Sequence, residues 1–437
     1  MSRTSSTRRD FLKHSAAAAG TLAALQASAV RYAHAAADST CKIALIGCGG
    51  RGTGAVDNCL DAAKIVGQPM KLVAVADAFA DRANNALKAI QEKWQDSVDV
   101  PAERIFTGLD GYQKAIDCGV DLVLMASPPG FRPMQYAAAV KAGKNVFMEK
   151  PLCTDAPGFR QLVEANELAD KKGLKVVVGL QRHHQGPYIQ GIQEIHDGKL
   201  GEIELLRIYW NGSGGGARDL GPRPQNDPEE MMFQIRNWGC FRWLYGDNIV
   251  EQHVHNIDIA NWVMAKDGNP KNAHPVEANG MGGRVDRGNY GDIFDHHFVE
   301  FTYADGVKVF SQSRHQPGTW DQVDEFAHGT KGRRKVANGS GPKLESDNPY
   351  VQEHVDLMKA IAADTYLNEG WFGAVSSMTA VLGRMATYSG KVVKWDDAVA
   401  HGQQESPETI AWDATPRSLP DDKGFYPFPI PGISPPF

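Results

Sequence analysis

The sequence predicts an α/β fold: an N-terminal, doubly wound parallel sheet, followed by an α+β domain with a large open and mostly antiparallel sheet. Two observations predict the first part. Short apolar runs of strand type, "KIALI" at 42–46, "KLVAVAD" at 71–77, "VDLVLMASPP" at 120–129 and "KNVFMEKPL" at 144–152, recur along the chain. Helical segments such as "FRPMQYAAAVKAG" at 131–143 separate them, and strands alternating with helices at this spacing make a parallel sheet with helices on both faces. The second domain is predicted by a change of pattern after about residue 155. There the strand-like runs are longer and joined by turns, "EIELLRIYW", "DHHFVEFTYADG" and "VKVFSQSRH", which suits an open antiparallel sheet.

Taken in order, the chain begins with "TRRDFLK" at 7–13 and an uncharged small-residue run from Ser15 to Val30. Paired arginines before a weakly apolar stretch have the pattern of a twin-arginine export signal, and the run is too short to span a bilayer. Ala33, His34 and Ala35 form an A-x-A cleavage site, with Ala37 as the alternative last residue. We therefore expect residues 1–35 to be removed and the protein to be periplasmic, with no stable membrane insertion afterwards. The expected division is a signal at 1–35, a nucleotide-binding domain at 40–155, a substrate-binding domain at 156–395 and a tail at 396–437. The tail ends in "GFYPFPIPGISPPF", too rich in proline for regular structure, and is expected to wrap a neighbour or move freely.

Without the signal, 41 basic and 51 acidic residues leave a net charge of −10, which disfavours nucleic acid and anionic lipid as partners. The six cysteines contain no C-x-x-C pair, so neither a disulfide framework nor a zinc knuckle is indicated. No histidine pair has the spacing of a metal site, and no catalytic metal is expected.

"GCGGRG" follows the first strand directly and places Gly47, Gly49 and Gly52 in G-x-G-x-x-G register, with Gly50 and Arg51 inside the loop. A strand before it and a helix after it give the context of a dinucleotide site. Gly47 permits the turn, Gly49 admits a pyrophosphate and Gly52 lets helix and strand close up. Asp77, 25 residues beyond Gly52, ends the second strand where an acid meets the ribose hydroxyls. Ala78 and Phe79 follow it without an arginine, which favours NAD over NADP. A glycine-rich turn with a helix-capping aspartate is the competing reading.

"FMEKPL", closing such a domain, resembles the Gfo/Idh/MocA family of sugar and polyol oxidoreductases. "SPP" at 127–129, "QRHH" at 181–184 and "EQHVHNID" at 251–258 fit the family's order, the last resembling its D-x-x-x-H-x-x-D helix. The resemblance covers about residues 42–395 and implies a Rossmann-type domain. It implies that Ser127, Pro128, Glu149 and Lys150 lie at the cofactor, that Lys150 meets both the reacting hydroxyl and the nicotinamide side, and that His255 is the acid/base. It also implies that Arg182, His183, Asp258 and Arg314 lie near the substrate. Arg132 and Glu251 depart from the pattern, standing where many members have His and Asp. The glycine loop and the export signal are similar to those of the glycoside hydrolase family 109 branch, which implies tightly held NAD.

Without the family, residues 246–264 are expected to form one helix with Glu251, His255, Asp258 and Trp262 on one face. Histidine accepts protons near neutral pH, and carboxylates one turn either side would orient it. The same row also suits a structural hydrogen-bond network. Trp210, Trp238, Phe241, Trp243 and Tyr245 accompany a glycine-rich loop, which suits a sugar cleft or a subunit interface, with Trp238 and Trp243 as ligand contacts. A homo-oligomer is expected. Three functions remain open: a sugar oxidoreductase, a redox-neutral glycosidase or lyase, and a non-catalytic carbohydrate-binding protein that keeps NAD.

Overall fold

The computed structural model describes residues 40–212, 218–285 and 288–437. The expected export signal at 1–35 lies outside the described residues. The first domain runs β1 (Cys41–Ile46), α1 (Gly50–Val66), β2 (Met70–Asp77), α2 (Ala80–Trp94), β3 (Ile105–Thr107), α3 (Gly111–Ile116), β4 (Leu122–Met125), α4 (Arg132–Lys141), β5 (Asn145–Met148), α5 (Ala156–Lys172) and β6 (Val176–Val178). Its six strands pair in parallel in the order β3-β2-β1-β4-β5-β6. The order reverses between β1 and β4, and ligands of such sheets bind at that point, beyond the carboxyl ends of the strands. Covered on both faces, β4 is apolar throughout and 0% exposed at every residue.

Two boundaries differ from expectation. Helix α5 and strand β6 lie beyond residue 155 yet complete the first sheet, because the parallel crossover after β5 needs a helix before the sixth strand can pair. Far along the chain, α11 (Pro349–Ala363) returns to pack Val351, Val355, Leu357 and Met358 into the core beneath α1.

The second domain holds α6 (Gly186–His196), β7 (Ile203–Gly212), α7 (Glu230–Arg236), α8 (Arg242–Tyr245), α9 (Asn248–Glu251), α10 (Val254–Met264), β8 (Glu277–Gly283), β9 (His296–Thr302), β10 (Lys308–His315), β11 (Gln322–Gly329) and β12 (Gly332–Lys335). After α11 come α12 (Gly370–Ser389), β13 (Val393–Lys394) and α13 (Trp395–His401). Seven strands form a sheet ordered β12-β11-β7-β10-β9-β8-β13, antiparallel except for β7 beside β10. Its inner face packs on α12, which is buried on nearly every side.

The expected single helix at 246–264 is broken. Gln252 and His253 both donate backbone N–H groups to Asn248 O, at 3.1 and 3.2 Å, so one residue is gained before α10 begins. Such a slip rotates everything downstream relative to Glu251. Upstream, Asp247 is held at φ +83°, accepting from Phe294 N at 2.8 Å and from the Tyr388 hydroxyl.

The tail is irregular, as its prolines require, but it packs on its own chain rather than moving freely. Tyr426 is 1% exposed, and the Phe428 ring lies against Phe294. Together with Phe241, Trp243 and Leu244, Tyr426 belongs to a third apolar core.

Candidate active site

At the end of β1 the chain turns through Gly47 at φ +90°, where an added Cβ would stand 2.3 Å from Ser127 N. A Cβ on Gly52 would stand 1.9 Å from Gly47 O. These two glycines are demanded by the protein itself. Gly49 and Gly50 are not: a Cβ on Gly50 meets nothing within 4 Å, and one on Gly49 only Arg82 Nη1 at 3.8 Å. The open space above them, and a first turn of α1 with no side-chain cap and no acid, leave free N–H groups facing the cleft. This cradle fits a dinucleotide pyrophosphate.

Asp77 sits beside the loop, as expected, but its oxygens already accept from Cys48 N at 2.8 Å and Phe79 N at 3.0 Å. Burial raises its carboxyl above the ordinary range, against those two hydrogen bonds and Arg82. Arg82 corrects the expectation that no arginine stands near. The first turn of α2 brings it back beside Gly49, and with Asp77, Phe79 and Ile235 it lines the slot beside the ribose-binding acid in which the adenosine end of a dinucleotide would lie, the adenosine slot.

The larger cavity, about 370 Å³, runs from Gly49, Gly50 and Arg51 past Ser127 and Pro128 to Glu149, Lys150, Glu251 and His255. Arg51 pairs with Glu149, lies 3.6 Å from Glu353 and stacks over the Tyr350 ring at 4.6 Å. Lys150 precedes a cis peptide bond and reaches across the cleft. Its Nζ donates to the Glu251 backbone oxygen and to Glu251 Oε1 at 3.0 Å. Burial pushes the Glu251 carboxyl up, while Lys150 and Arg132 oppose that push. Arg132 is fully buried, its guanidinium donating to Pro151 O and Ser127 O, and burial lowers its pKa to about 10.

His255 is held differently from the expectation. Neither carboxylate orients it: Glu251 is turned to Lys150, and Asp258 binds His183 Nε2 at 2.7 Å and the Ser376 hydroxyl at 2.9 Å. The one-residue slip before α10 separates Glu251 from the rest of the row, while Asp258, in the same helix as His255, is drawn off by its own partners. His255 Nδ1 is buried without a hydrogen-bond partner, and the Trp210 ring stacks on the imidazole at 5.7 Å. Burial, then Lys150, Arg182 and Arg51, drive its pKa well below the ordinary value, so the ring is neutral.

Lys150, Glu251, His255 and Trp238 are thus brought to one cavity, with Gln181, Trp210, Gln252 and Tyr350 beside them. Four expected substrate contacts are not. Arg182 is buried against Glu325, behind Trp210. His183 stacks on Trp262 at 4.1 Å, and its partner Asp258 is 1% exposed. Arg314, at the end of β10, donates to Trp320 O outside both cavities. A fifth, Trp243, is a core residue whose Nε1 donates to Gln234 Oε1 at 2.8 Å. Its apolar company comes from Phe131, Met231 and Ile235, which its own stretch of sequence does not show. Among the described residues no cluster of three His, Cys, Asp or Glu could hold a metal ion, and no helix is long and apolar enough to cross a membrane.

Residues 41–180 match the profile of the oxidoreductase family with an NAD-binding Rossmann fold. The matched segment, which is the cofactor domain, is similar to the NAD-binding domain of the Gfo/Idh/MocA oxidoreductases. That domain is the NAD-binding domain of an oxidoreductase. Inositol 2-dehydrogenase of Rhizobium meliloti (strain 1021) is 26% identical over 305 residues, 68% of this chain and 78% of that protein. The enzyme of the same name from Klebsiella pneumoniae (strain 342) is 28% identical over 207 residues, 47% of this chain and only 55% of its own length. Among solved structures, scyllo-inositol dehydrogenase of Lactobacillus casei, with bound NAD(H) and scyllo-inositol, has a TM-score of 0.59 at 20% identity. That likeness covers 82% of this chain and 100% of the other, and it shows the fold.

Proposed function

We propose that this oxidoreductase moves a hydride between a carbinol carbon of a sugar or cyclic polyol and the nicotinamide. The observation that carries the reading is the convergence of Lys150, Glu251 and His255 on the cavity that opens onto the glycine loop. NAD, when bound, supplies the hydride acceptor. Lys150 Nζ, steadied by Glu251, donates to the substrate oxygen and favours its ionisation. Neutral His255 takes the proton, and because its surroundings disfavour imidazolium it hands the proton back readily, as a reversible step needs. Trp210 and Trp238 offer flat apolar faces to a ring. The inositols in the relatives' names are ring polyols, which supports this substrate class. Purified protein is to be incubated with cyclic polyols, free sugars and glycosides while products and NADH are followed. Oxidised product, with the bound cofactor reduced in step, is the expected result, and a panel without any turnover removes the reading.

We propose further that NAD is held without exchange and that the protein is exported by the twin-arginine route to the periplasm. Support comes from "TRRDFLK" and the A-x-A site, and from the adenosine slot, walled by Phe79 and Ile235. Outside the cytoplasm there is no ready NAD pool, so the cycle must close on the protein. It closes either by oxidising one sugar and reducing another, or by oxidation, elimination, hydration and re-reduction of one substrate, as in the glycoside hydrolase family 109 branch. Glycoside cleavage with substoichiometric NAD and no NADH selects the latter. Replacing Arg8 and Arg9 by Lys is expected to leave uncleaved precursor in the cytoplasm, since Lys lacks the planar fork of Arg. The homo-oligomer belongs to the same proposal. Phe298 and Phe310 stack on the sheet's outer face beside Met281, which is 73% exposed, and light scattering of the purified protein tests it.

A further inference from the structure

The segment after α13 contains no helix or strand, yet it is fastened along its whole length. Glu405 N donates to Asp155 Oδ2 at 2.8 Å, and the Glu405 carboxylate bridges Arg242 at 2.8 Å and Arg384 at 3.1 Å. The Trp412 ring then reaches Phe79, a wall of the adenosine slot, at 5.7 Å. Further on the segment grips α7: Gln234 Nε2 donates to Ser418 O at 2.8 Å, and the Tyr426 hydroxyl donates to Glu230.

Helix α7 meets both parts of the cofactor path. Ile235 lines the adenosine slot, and Trp238, just past the helix end, lines the catalytic cavity. The Arg236 guanidinium lies 3.8 Å over the Phe79 ring and pairs with Asp81 at 3.2 Å. A seven-residue helix is too short to hold itself, so its position must come from tertiary contacts. The Arg236 pair with Asp81 is exposed and screened, whereas the contacts from Ser418 and Tyr426 are buried.

We infer that residues 403–437 form a strap that locks NAD in its site by holding α7 against Phe79. The inference rests on the retained-cofactor reading above. For the adenosine end to leave, Ile235 and Phe79 must part, and the contacts of Tyr426 and Trp412 oppose that movement. Tyr426 and Trp412 are positioning residues, since neither lines the slot or the cavity.

The test follows release of bound NAD from the full-length protein into excess buffer containing an NAD-consuming enzyme, for the parent, Tyr426→Phe and Trp412→Ala. The phenylalanine variant keeps the ring packing on Phe241 and loses only the hydroxyl. The parent is expected to keep its NAD through gel filtration. Tyr426→Phe is expected to release it about tenfold faster, the scale of one lost hydrogen bond to a charged group, and Trp412→Ala faster still. A purely structural role lowers the melting midpoint and leaves the release rate at 25 °C unchanged. Unchanged release from a folded Tyr426→Phe, with the parent retaining NAD, overturns the strap alone, and this variant carries the test if Trp412→Ala does not fold. A parent that loses NAD on gel filtration overturns the retained-cofactor reading and the strap with it.

Discussion

The two walls of the cleft hold their side chains by different means. On the first-domain wall the backbone does the holding: Gly47 and Gly52 touch main chain, and Asp77 is fixed by two N–H groups. On the second-domain wall, and in the layer buried behind it, side chains hold side chains. Glu251 is held by Lys150, Asp258 by His183 and Arg182 by Glu325, across 101, 75 and 143 residues of sequence. A backbone demand leaves a mark at its own position, usually a glycine, whereas a side-chain partnership leaves none that a local pattern can show. The difference predicts which substitutions on each wall do harm.

The largest effect is expected at Gly52→Ala. Its Cβ would overlap Gly47 O, so helix and strand must separate, costing about 3 kcal/mol or more and abolishing NAD binding. Gly50→Ala, with nothing within 4 Å, is expected to keep the parent's stability in urea titration. Equal damage from both would break the claim that the loop's sequence marks report main-chain contacts.

Next come Lys150→Ala and His255→Ala, one from each wall. Each is expected to lower turnover about 100-fold with the fold and bound NAD intact, the scale of losing a positioned acid/base. If both act on one oxygen, the double variant is little worse than either single one. Multiplying losses in steady-state kinetics would mean that the two walls serve different steps.

Asp77→Ala sharpens the comparison on the first wall, because its carboxylate faces the slot and also ties β1 to β2. NAD affinity is expected to fall about tenfold or more, as for a lost hydrogen bond to a charged group. NADP should gain relative to NAD, since Arg82 remains in the slot. Calorimetric titration with both cofactors decides this, and unchanged affinities remove Asp77 from the site.

What was legible follows the same division. Strand periodicity and glycine spacing revealed the parallel sheet, its turn and the place of Lys150 at the carboxyl end of β5, because each is a local consequence of backbone geometry. Helical periodicity over 246–264 was read correctly in type and wrongly in phase. Nothing in "EQHVHNID" signals that His253 bonds five residues back, which turns Glu251 out of the row, or that Asp258 is held by His183, 75 residues earlier. Trp243 looked exposed because its core partners, Phe131 and Tyr426 among them, lie 112 residues before it and 183 after it. The tail's prolines excluded regular structure without saying what its aromatic rings would cover.

The smallest effect concerns a histidine on neither wall. His354, on α11 behind the glycine loop, is 0% exposed, has no partner on either ring nitrogen and lies 4.1 Å from the Phe147 ring. Burial, helped by the nearby Arg51 and His184, lowers its pKa to about 3. In the unfolded chain the same group titrates near 6.5. Between those values the unfolded state binds the extra proton, so this group's share of stability is present above about pH 6.5 and is lost as the pH falls. His354→Phe cannot take up that proton. The parent should therefore lose about 1.4 kcal/mol per pH unit relative to the variant once the pH drops below about 6.5. Urea titrations at pH 7.5, 6.5 and 5.5 measure the slope, which is independent of any constant difference made by the larger ring. Parallel stability curves for the two proteins would show that His354 takes up its proton in place. It would then have to find a partner behind the loop, and Glu353, whose carboxyl oxygens also lack hydrogen bonds, is the nearest in sequence.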